Sequence, residues 1–491
     1  MAPAAQGVVM AAATGAFPKG RRRASSASWK SRLLISDRQP GSPVSRDDTL
    51  YLSIQAAEAG AGQQPAATFA VLGGGIVGTF CAGLLARRGF HVELFESAEP
   101  GQTTWRGIIN MNAQAVRLLQ EADPALLRAV LDEHKQAGTA TFWDSGLKTE
   151  ILTYDIATES QRFALPPYMI TCERSRFLEQ LRESLPAAVR VRTGQAITAV
   201  EESDAGVRLS FEDGTSARAD YLIGADGIKS LTRRSIFSQY GGLRPPEWTG
   251  HFTITGIAQG VELPENASAD QTELWGGSGR FLIFRGRNHT VFWGVLIAGH
   301  RPEHTESGDR VEYQHSLLAF VRERFVGYHS VVEELLAGTE LSSLGAFDMN
   351  EVSGLSRWST KRVLLLGDAA HAMCNDVGSG GCTGMEDAWV TAETLALCMR
   401  AHAAQEGEMN AIARAFKFIE RRRMPRAKRI QFESFLLAQL TAVHCGTAWR
   451  FVRDAVLRWI GKQPEHDRLP IFDWLCNYRS TASMKLPRRE V

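Results

Sequence analysis

The longest apolar stretch of the chain, Phe69 to Ala86, is interrupted by glycines at 73, 74, 75, 78 and 83. A membrane-spanning helix needs about 20 apolar residues without such breaks, so the pattern reads as strand, turn and helix instead. Thr68–Leu72 is a short buried strand, Ile76–Arg88 a helix and His91–Phe95 a second strand, the opening of a βαβ unit. Phe177–Leu185 has helical spacing, and Ala219–Ile223 and Arg362–Leu366 are further buried strands. Between about 248 and 300 the period becomes that of strands. There Arg280–Phe284 and Thr290–Ile297 flank the turn Gly286-Arg287-Asn288, which predicts a hairpin. From Glu386 onward the pattern is mostly helical, punctuated at Gly446 and Pro464. No repeat occurs at solenoid periods. The predicted class is α/β: a Rossmann-like nucleotide-binding domain, an inserted mixed β-sheet at about 235–352, and a C-terminal helical region.

Composition adds three things. The net charge is +1, which supplies no global field for nucleic acid. Seven cysteines form no CxxC pair, so reduced thiols are expected rather than a disulfide scaffold. Residues 1–36 hold six Lys/Arg and no Asp or Glu, with many Ala and Ser, the composition of an organelle transit peptide. An untargeted leader is the plainer alternative. Residues 37–66, rich in Ala, Gly, Gln and Pro, read as a linker.

The chemistry lies in three turns, each following a strand. Gly73-x-Gly75-x-x-Gly78 opens a helix: Gly73 allows the tight turn, Gly75 the approach of a pyrophosphate, and Gly78 helix–strand packing. The helix N-terminus attracts phosphate. Glu96, at the end of the second strand, suits a ribose diol and repels a 2′-phosphate. The second turn, Gly367-Asp368-Ala369-Ala370-His371, runs through Gly378-Ser379-Gly380-Gly381-Cys382-Thr383-Gly384 into a helix start at Glu386-Asp387. Its glycines bring backbone N–H groups close to a planar ring. The third, Gly224-Ala225-Asp226-Gly227-x-x-Ser230-x-x-Arg233, is by itself an ordinary turn.

In this order and spacing the three turns resemble the flavoprotein monooxygenases of the aromatic-hydroxylase family, over about residues 67–435. Within it, Trp105-Arg106-Gly107, Trp248-Thr249-Gly250-His251 and Gly380-Gly381-Cys382 before Glu386-Asp387 are similar to segments of zeaxanthin epoxidases. The resemblance implies FAD as cofactor and NAD(P)H as visiting co-substrate, since no second GxGxxG occurs. It also implies insertion of one oxygen atom from O2 into a lipophilic or aromatic small molecule. By the same resemblance Gly73, Gly75, Gly78 and Glu96 hold the ADP half. Arg106, the catalytic candidate, and Arg174 lie near the cofactor. Asp226 and Gly227 belong to a turn serving FAD and the nicotinamide. Asp368 binds the ribitol, and Gly380, Gly381 and Gly384 face the pyrimidine.

The sequence departs from the family at Asn375, where Pro is usual, and at Ser379, where Gln is usual. It also lacks the phosphopeptide-binding-like domain of plant zeaxanthin epoxidases after residue 435, and the Trp-x-Trp-x-Ile-Pro segment of flavin halogenases. Epoxidation of a carotenoid or isoprenoid in a plastid is the leading expectation for the substrate. Hydroxylation of a salicylate-like phenol is the alternative, and a non-catalytic FAD-binding protein is the third reading. His371, Cys374, Asp376 and Cys382 lack a standard zinc spacing, and no metal is expected. His371 reads as a structural hydrogen-bonder. The amphipathic stretch Phe432–Ile460 is expected to pack on the core, with peripheral membrane contact as the alternative. The basic run Lys417–Arg429 is expected to be a solvated helix face.

Overall fold

The computed structural model describes residues 49–50, 67–99, 106–162, 164–303, 309–441, 447–461 and 486–487. The leader at 1–36, the linker apart from Thr49–Leu50, Trp105, Gly446 and Pro464 lie outside them. Leu52–Leu486 form one compact unit, which contains all three glycine-bearing turns.

The unit opens as the sequence predicts, with β1 (Thr68–Leu72), α1 (Ile76–Arg87) and β2 (His91–Phe95). After β3 (Ile108–Met111) come α2 (Ala113–Ala122) and α3 (Pro124–Glu133). Asn112 caps α2 by accepting from Ala115 N at 2.9 Å, and Asp123 caps α3 with Pro124 in its first turn. Next are β4 (Lys135–Ala137), β5 (Thr139–Asp144), β6 (Glu150–Asp155), β7 (Met169–Glu173), α4 (Arg174–Glu183) and β8 (Val189–Arg192). The meander β9 (Ile197–Ser203), β10 (Gly206–Phe211) and β11 (Ser216–Ala219) leads to β12 (Tyr221–Gly224) and α5 (Leu231–Ile236). The strand-rich region is β13 (Glu247–Gln259), β14 (Gln271–Trp275), β15 (Arg280–Arg285) and β16 (Thr290–Ala298). It continues through α6 (Arg310–Arg324), α7 (Val331–Ala337) and β17 (Gly345–Glu351). β18 (Val363–Leu365) precedes three helices, α8 (Gly380–Glu406), α9 (Glu408–Thr441) and α10 (Thr447–Gly461).

Two sheets organise the unit. A five-stranded parallel sheet has the order β18-β12-β1-β2-β8, so all three sequence motifs leave its strands at the same, C-terminal, edge. Its core includes residues of α1, α2, α4, α8 and α9. A seven-stranded mixed sheet has the order β17-β13-β16-β15-β14-β5-β6. The predicted hairpin is β15–β16, antiparallel from Arg280↔Leu296 to Arg285↔Val291.

This second sheet extends beyond the inserted stretch at 235–352. It recruits β5 and β6 from upstream, β5 pairing in parallel with β14. Phe252, Ile254, Phe281, Ile283, Trp293 and Val295 pack on α6 and α7. Alternation turns Ile257, Phe284 and Phe292 to the opposite face, where they meet Ile108. That face looks toward the nucleotide-binding half.

The basic run Lys417–Arg429 does not behave as one solvated face. Arg423 and Arg426 are 0% and 5% exposed and turn inward to Glu386 and Asp387. A buried carboxylate pair cannot remain charged without cations beside it, and α9 supplies them.

Candidate functional site

The glycine turn is built as its spacing requires. Gly73 has φ +103°, and a Cβ there would lie 2.4 Å from the Ala225 carbonyl oxygen. A Cβ on Gly78 would lie 1.9 Å from the Gly73 oxygen, so both positions exclude a side chain. A Cβ on Gly75 would meet nothing within 4 Å. That open side lies beside the first turn of α1, whose N–H groups have no helical acceptors. Glu96 closes the turn: its Oε2 accepts from Gly74 N at 2.9 Å and its Oε1 from Ala98 N at 2.9 Å. Arg182 on α4 donates to Gly74 O at 3.1 Å, a contact the sequence did not announce.

The Asp226 turn braces the site. Its carboxylate accepts from Ser230 Oγ at 2.6 Å and Thr232 N at 2.9 Å, at the start of α5. Gly227 has φ +73° with open space around it. Arg233 donates to Ile228 O at 2.6 Å and to Ala369 O at 2.9 Å, tying this turn to the Asp368 turn.

Asp368 lies deep in the molecule, yet its side chain is exposed; both hold because it borders a cleft. Burial pushes its carboxyl above the ordinary range, against the pull of His371 and Arg174. The charges of both Asp368 and Glu96 act on Arg174. Burial lowers its pKa, and the two carboxylates oppose that. Gly380 and Gly381 open α8, with Ile109 of β3 3.0 Å from where a Gly381 Cβ would be. Gly384 does something else: a Cβ there would lie 2.4 Å from Val77 Cγ2, so it packs α8 on α1.

Arg106 is held by two carboxylates, Glu173 Oε1 at 2.9 Å and Glu340 Oε2 at 2.8 Å. Glu173 ends β7 and Glu340 precedes β17, so Arg106 bridges the nucleotide half and the second sheet. Neither acid was among the sequence candidates.

Beneath the cleft lies a buried charge network. His371 Nε2 and Asp387 Oδ2 are 2.5 Å apart, and Gly367 N donates to the same oxygen at 3.1 Å. Arg423 donates to Asp387 Oδ1 at 2.6 Å and to Glu386 Oε2 at 2.8 Å, while Arg426 donates to Glu386 at 2.7 Å. Burial pushes Asp387 up, but His371 and Arg423 outweigh it and leave its pKa at about 2. His371 is thus a structural hydrogen-bonder. Cys374 Sγ donates to Asp376 Oδ2 at 3.4 Å while Asp376 Oδ1 turns to Arg280, but Cys382 Sγ turns to Asn110 O and His371 to Asp387, so the four residues weighed as metal ligands do not come together. Among the described residues no group of three metal-ligating side chains converges, and the five described cysteines are free.

The geometry defines a nucleotide-binding fold in which the three turns gather at the C-terminal strand ends of the parallel sheet. The family described as FAD binding domain matches residues 66–409, and the chain belongs to it. It is 32% identical over 336 residues to 3-amino-4-hydroxybenzoate 2-monooxygenase PtnB3 of Streptomyces platensis, covering 66% of this chain and 78% of that one. It is 26% identical over 395 residues to 3-hydroxybenzoate 6-hydroxylase of Klebsiella oxytoca, covering 80% and 92%. The solved structure of Klebsiella pneumoniae HpxO, complexed with FAD and uric acid, superposes with a TM-score of 0.68 at 20% identity, covering 84% and 96%. The protein is an FAD-dependent oxidoreductase of the flavoprotein monooxygenase class. The residues fit that cofactor. Were FAD bound, the open side of Gly75 would leave room for a pyrophosphate, and Glu96, Asp368 and Arg174 would be the side chains to hold its adenosine and ribitol parts. The start of α8 at Gly380–Gly381 offers unpaired N–H groups to the ring.

Proposed function

We propose that the enzyme hydroxylates a small, electron-rich aromatic ring, using NAD(P)H and O2. The observation that carries this reading is the cleft-facing side of the second sheet. Ile257, Phe284 and Phe292 form an apolar patch there with Leu282 and Ile108. Beside them Thr255 Oγ1 is buried without a hydrogen-bond partner among the described residues. A buried apolar face with a spare hydroxyl, turned toward the nucleotide-binding half, suits a planar ring bearing a polar substituent.

When bound, FAD would supply the redox chemistry, hydride acceptance from NAD(P)H and activation of O2. The protein's part is placement. Arg174, Asp368 and Glu96 fix the cofactor along the cleft, the Arg106–Glu173–Glu340 bridge closes one end, and the apolar patch excludes water. The named substrates of the two curated relatives, an aminohydroxybenzoate and a hydroxybenzoate, support a phenolic substrate. They favour the phenol over the carotenoid or isoprenoid that the epoxidase-like segments led us to expect first. Targeting to a plastid rests on the composition of residues 1–36 alone.

The test is NAD(P)H oxidation by the FAD-loaded chain with salicylate, 3-hydroxybenzoate and 3-amino-4-hydroxybenzoate, beside micellar carotenoids. We expect one of the phenols to gain one oxygen atom in step with NAD(P)H consumed. Oxygen gain by the carotenoids alone would replace the hydroxylase reading with the epoxidase one. Bound FAD with no NAD(P)H oxidation under any condition would leave a non-catalytic flavoprotein.

A further inference from the structure

The cleft face of the second sheet also carries a buried cation. Arg280 on β15 is 5% exposed. Its Nη1 donates to Asp376 Oδ1 at 2.7 Å and its Nε to Glu273 Oε2 at 3.1 Å. The guanidinium lies 5.5 Å from the Trp275 ring centroid, and the Trp275 indole N–H donates to Glu273 Oε2 at 2.8 Å. Arg453 of α10 is placed over the same ring at 4.7 Å.

Asp376 belongs to the short turn Asn375–Val377, in the loop that leads to Gly380 and the start of α8. The Arg280–Asp376 pair therefore joins the sheet that floors the cleft to the loop that borders it. The loop has a second tie, where Ser434 Oγ of α9 donates to Cys374 O at 2.6 Å. Leu296 and Met349 pack against Cys374 from the sheet. Asn375 stands between the ties and Ser379 beyond them, where similar flavoproteins usually have Pro and Gln, so no pyrrolidine ring fixes φ at 375. A buried guanidinium among carboxylates is a weak source of stability compared with apolar side chains, but it is selective. Any other height of the loop leaves Asp376 and Arg280 buried apart.

We infer that Arg280 is a positioning residue: through Asp376 it sets the height of the Cys374–Ser379 loop above the sheet, and with it the placement of the substrate ring. This rests on the hydroxylase reading proposed above for the use of the cleft, while the loop itself is open to measurement without substrate.

The experiment uses the full chain and the variants Asp376→Asn, Arg280→Gln, Arg280→Lys and the double Arg280→Gln/Asp376→Asn. Asp376→Asn is nearly isosteric and guards against variants that fail to fold. Amide hydrogen exchange over residues 374–379, referenced to β1–α1, reads the loop with or without cofactor and substrate. In the FAD-loaded enzyme, KM for whichever of the three phenols is turned over and the share of NAD(P)H ending as hydrogen peroxide read the placement. We expect faster exchange confined to the loop, wild-type FAD content, KM raised about tenfold by a displacement on the ångström scale, and more peroxide. The double variant should be no worse than Asp376→Asn, and Arg280→Lys should recover part of the loss. Wild-type loop exchange, KM and peroxide share alongside a lowered melting temperature would overturn the inference and leave a structural ion pair. Fully additive effects in the double variant would overturn it too. A wild-type chain that oxidises no phenol counts against the hydroxylase reading, and the exchange measurement still decides the loop.

Discussion

Asp387 takes hydrogen bonds from three donors in two parts of the chain: the Gly367 amide and His371 Nε2 of one turn, and Arg423 Nε of α9. These bonds tie the Gly367–His371 turn and α9 to α8, so Asp387→Asn should cost on the order of 3 kcal/mol by weakening a buried charged network. The pH dependence has a definite sign. The folded carboxyl titrates at about 2, below the ordinary 3.8, so its contribution is present above about pH 4 and is lost as pH falls through about 2. Thermal melts from pH 5 to 2 should show the wild type losing its advantage over Asp387→Asn across that window. A difference between the two that stays constant down to pH 2 would mean that the carboxylate charge contributes nothing. The sequence held half of this network in plain view. Glu386-Asp387 beside an apolar helix start requires cations, and Lys417–Arg429 contains them. What spacing alone could not show is which arginines of that run turn inward. That depends on how α9 lies against α8, and only Arg423 and Arg426 meet the acids.

At the scale of the element, the β1–α1 turn separates two kinds of glycine that look alike in a motif. Gly78 has no room for a methyl group, whereas Gly75 has room and an ordinary φ of −74°. Gly78→Ala should therefore destabilise the apoprotein by about 1–3 kcal/mol through overpacking. Gly75→Ala should leave apoprotein stability within about 0.5 kcal/mol, as a surface change does. Its methyl group would still stand where a pyrophosphate approaches, and FAD affinity should fall about tenfold, or 1.4 kcal/mol. Calorimetry of the two apoproteins and FAD titration of Gly75→Ala separate the effects, and unchanged FAD affinity in Gly75→Ala would remove the pyrophosphate from that side of the turn. This turn was legible because its glycines, strand and helix lie within one short segment. The second sheet was less so. The parallel pairing of β5 with β14 joins Ala140 to Gln271 across more than a hundred residues, and nothing in the alternation of β5 names its partner. The stretch at about 248–300 was read as strands and forms them, but the reading did not reveal the helices α6 and α7 that follow or the two strands donated from upstream.

At the scale of the whole molecule, the family match ends at residue 409, while the cleft's support does not. Ile412, Phe416 and Ile419 are fully buried in the core shared with α1 and α8. Three such side chains contribute about 6 kcal/mol together, against a typical total stability of about 5–15 kcal/mol. Arg423 and Arg426 lie beyond the match as well, and without them Glu386 and Asp387 would be left as buried acids lacking those cations. A chain ending at 409 should thus fail to fold, although it contains all three sequence motifs. A chain ending at 441 loses α10 and the Arg453–Trp275 stack but keeps the network and the core, and should melt cooperatively and hold FAD. Soluble yield, the melting transition and FAD per chain, measured for both truncations, test this directly. A cooperative, FAD-retaining 1–409 chain would show that α9 is an accessory. A 1–441 chain that cannot hold FAD would instead move the limit of the functional unit into α10.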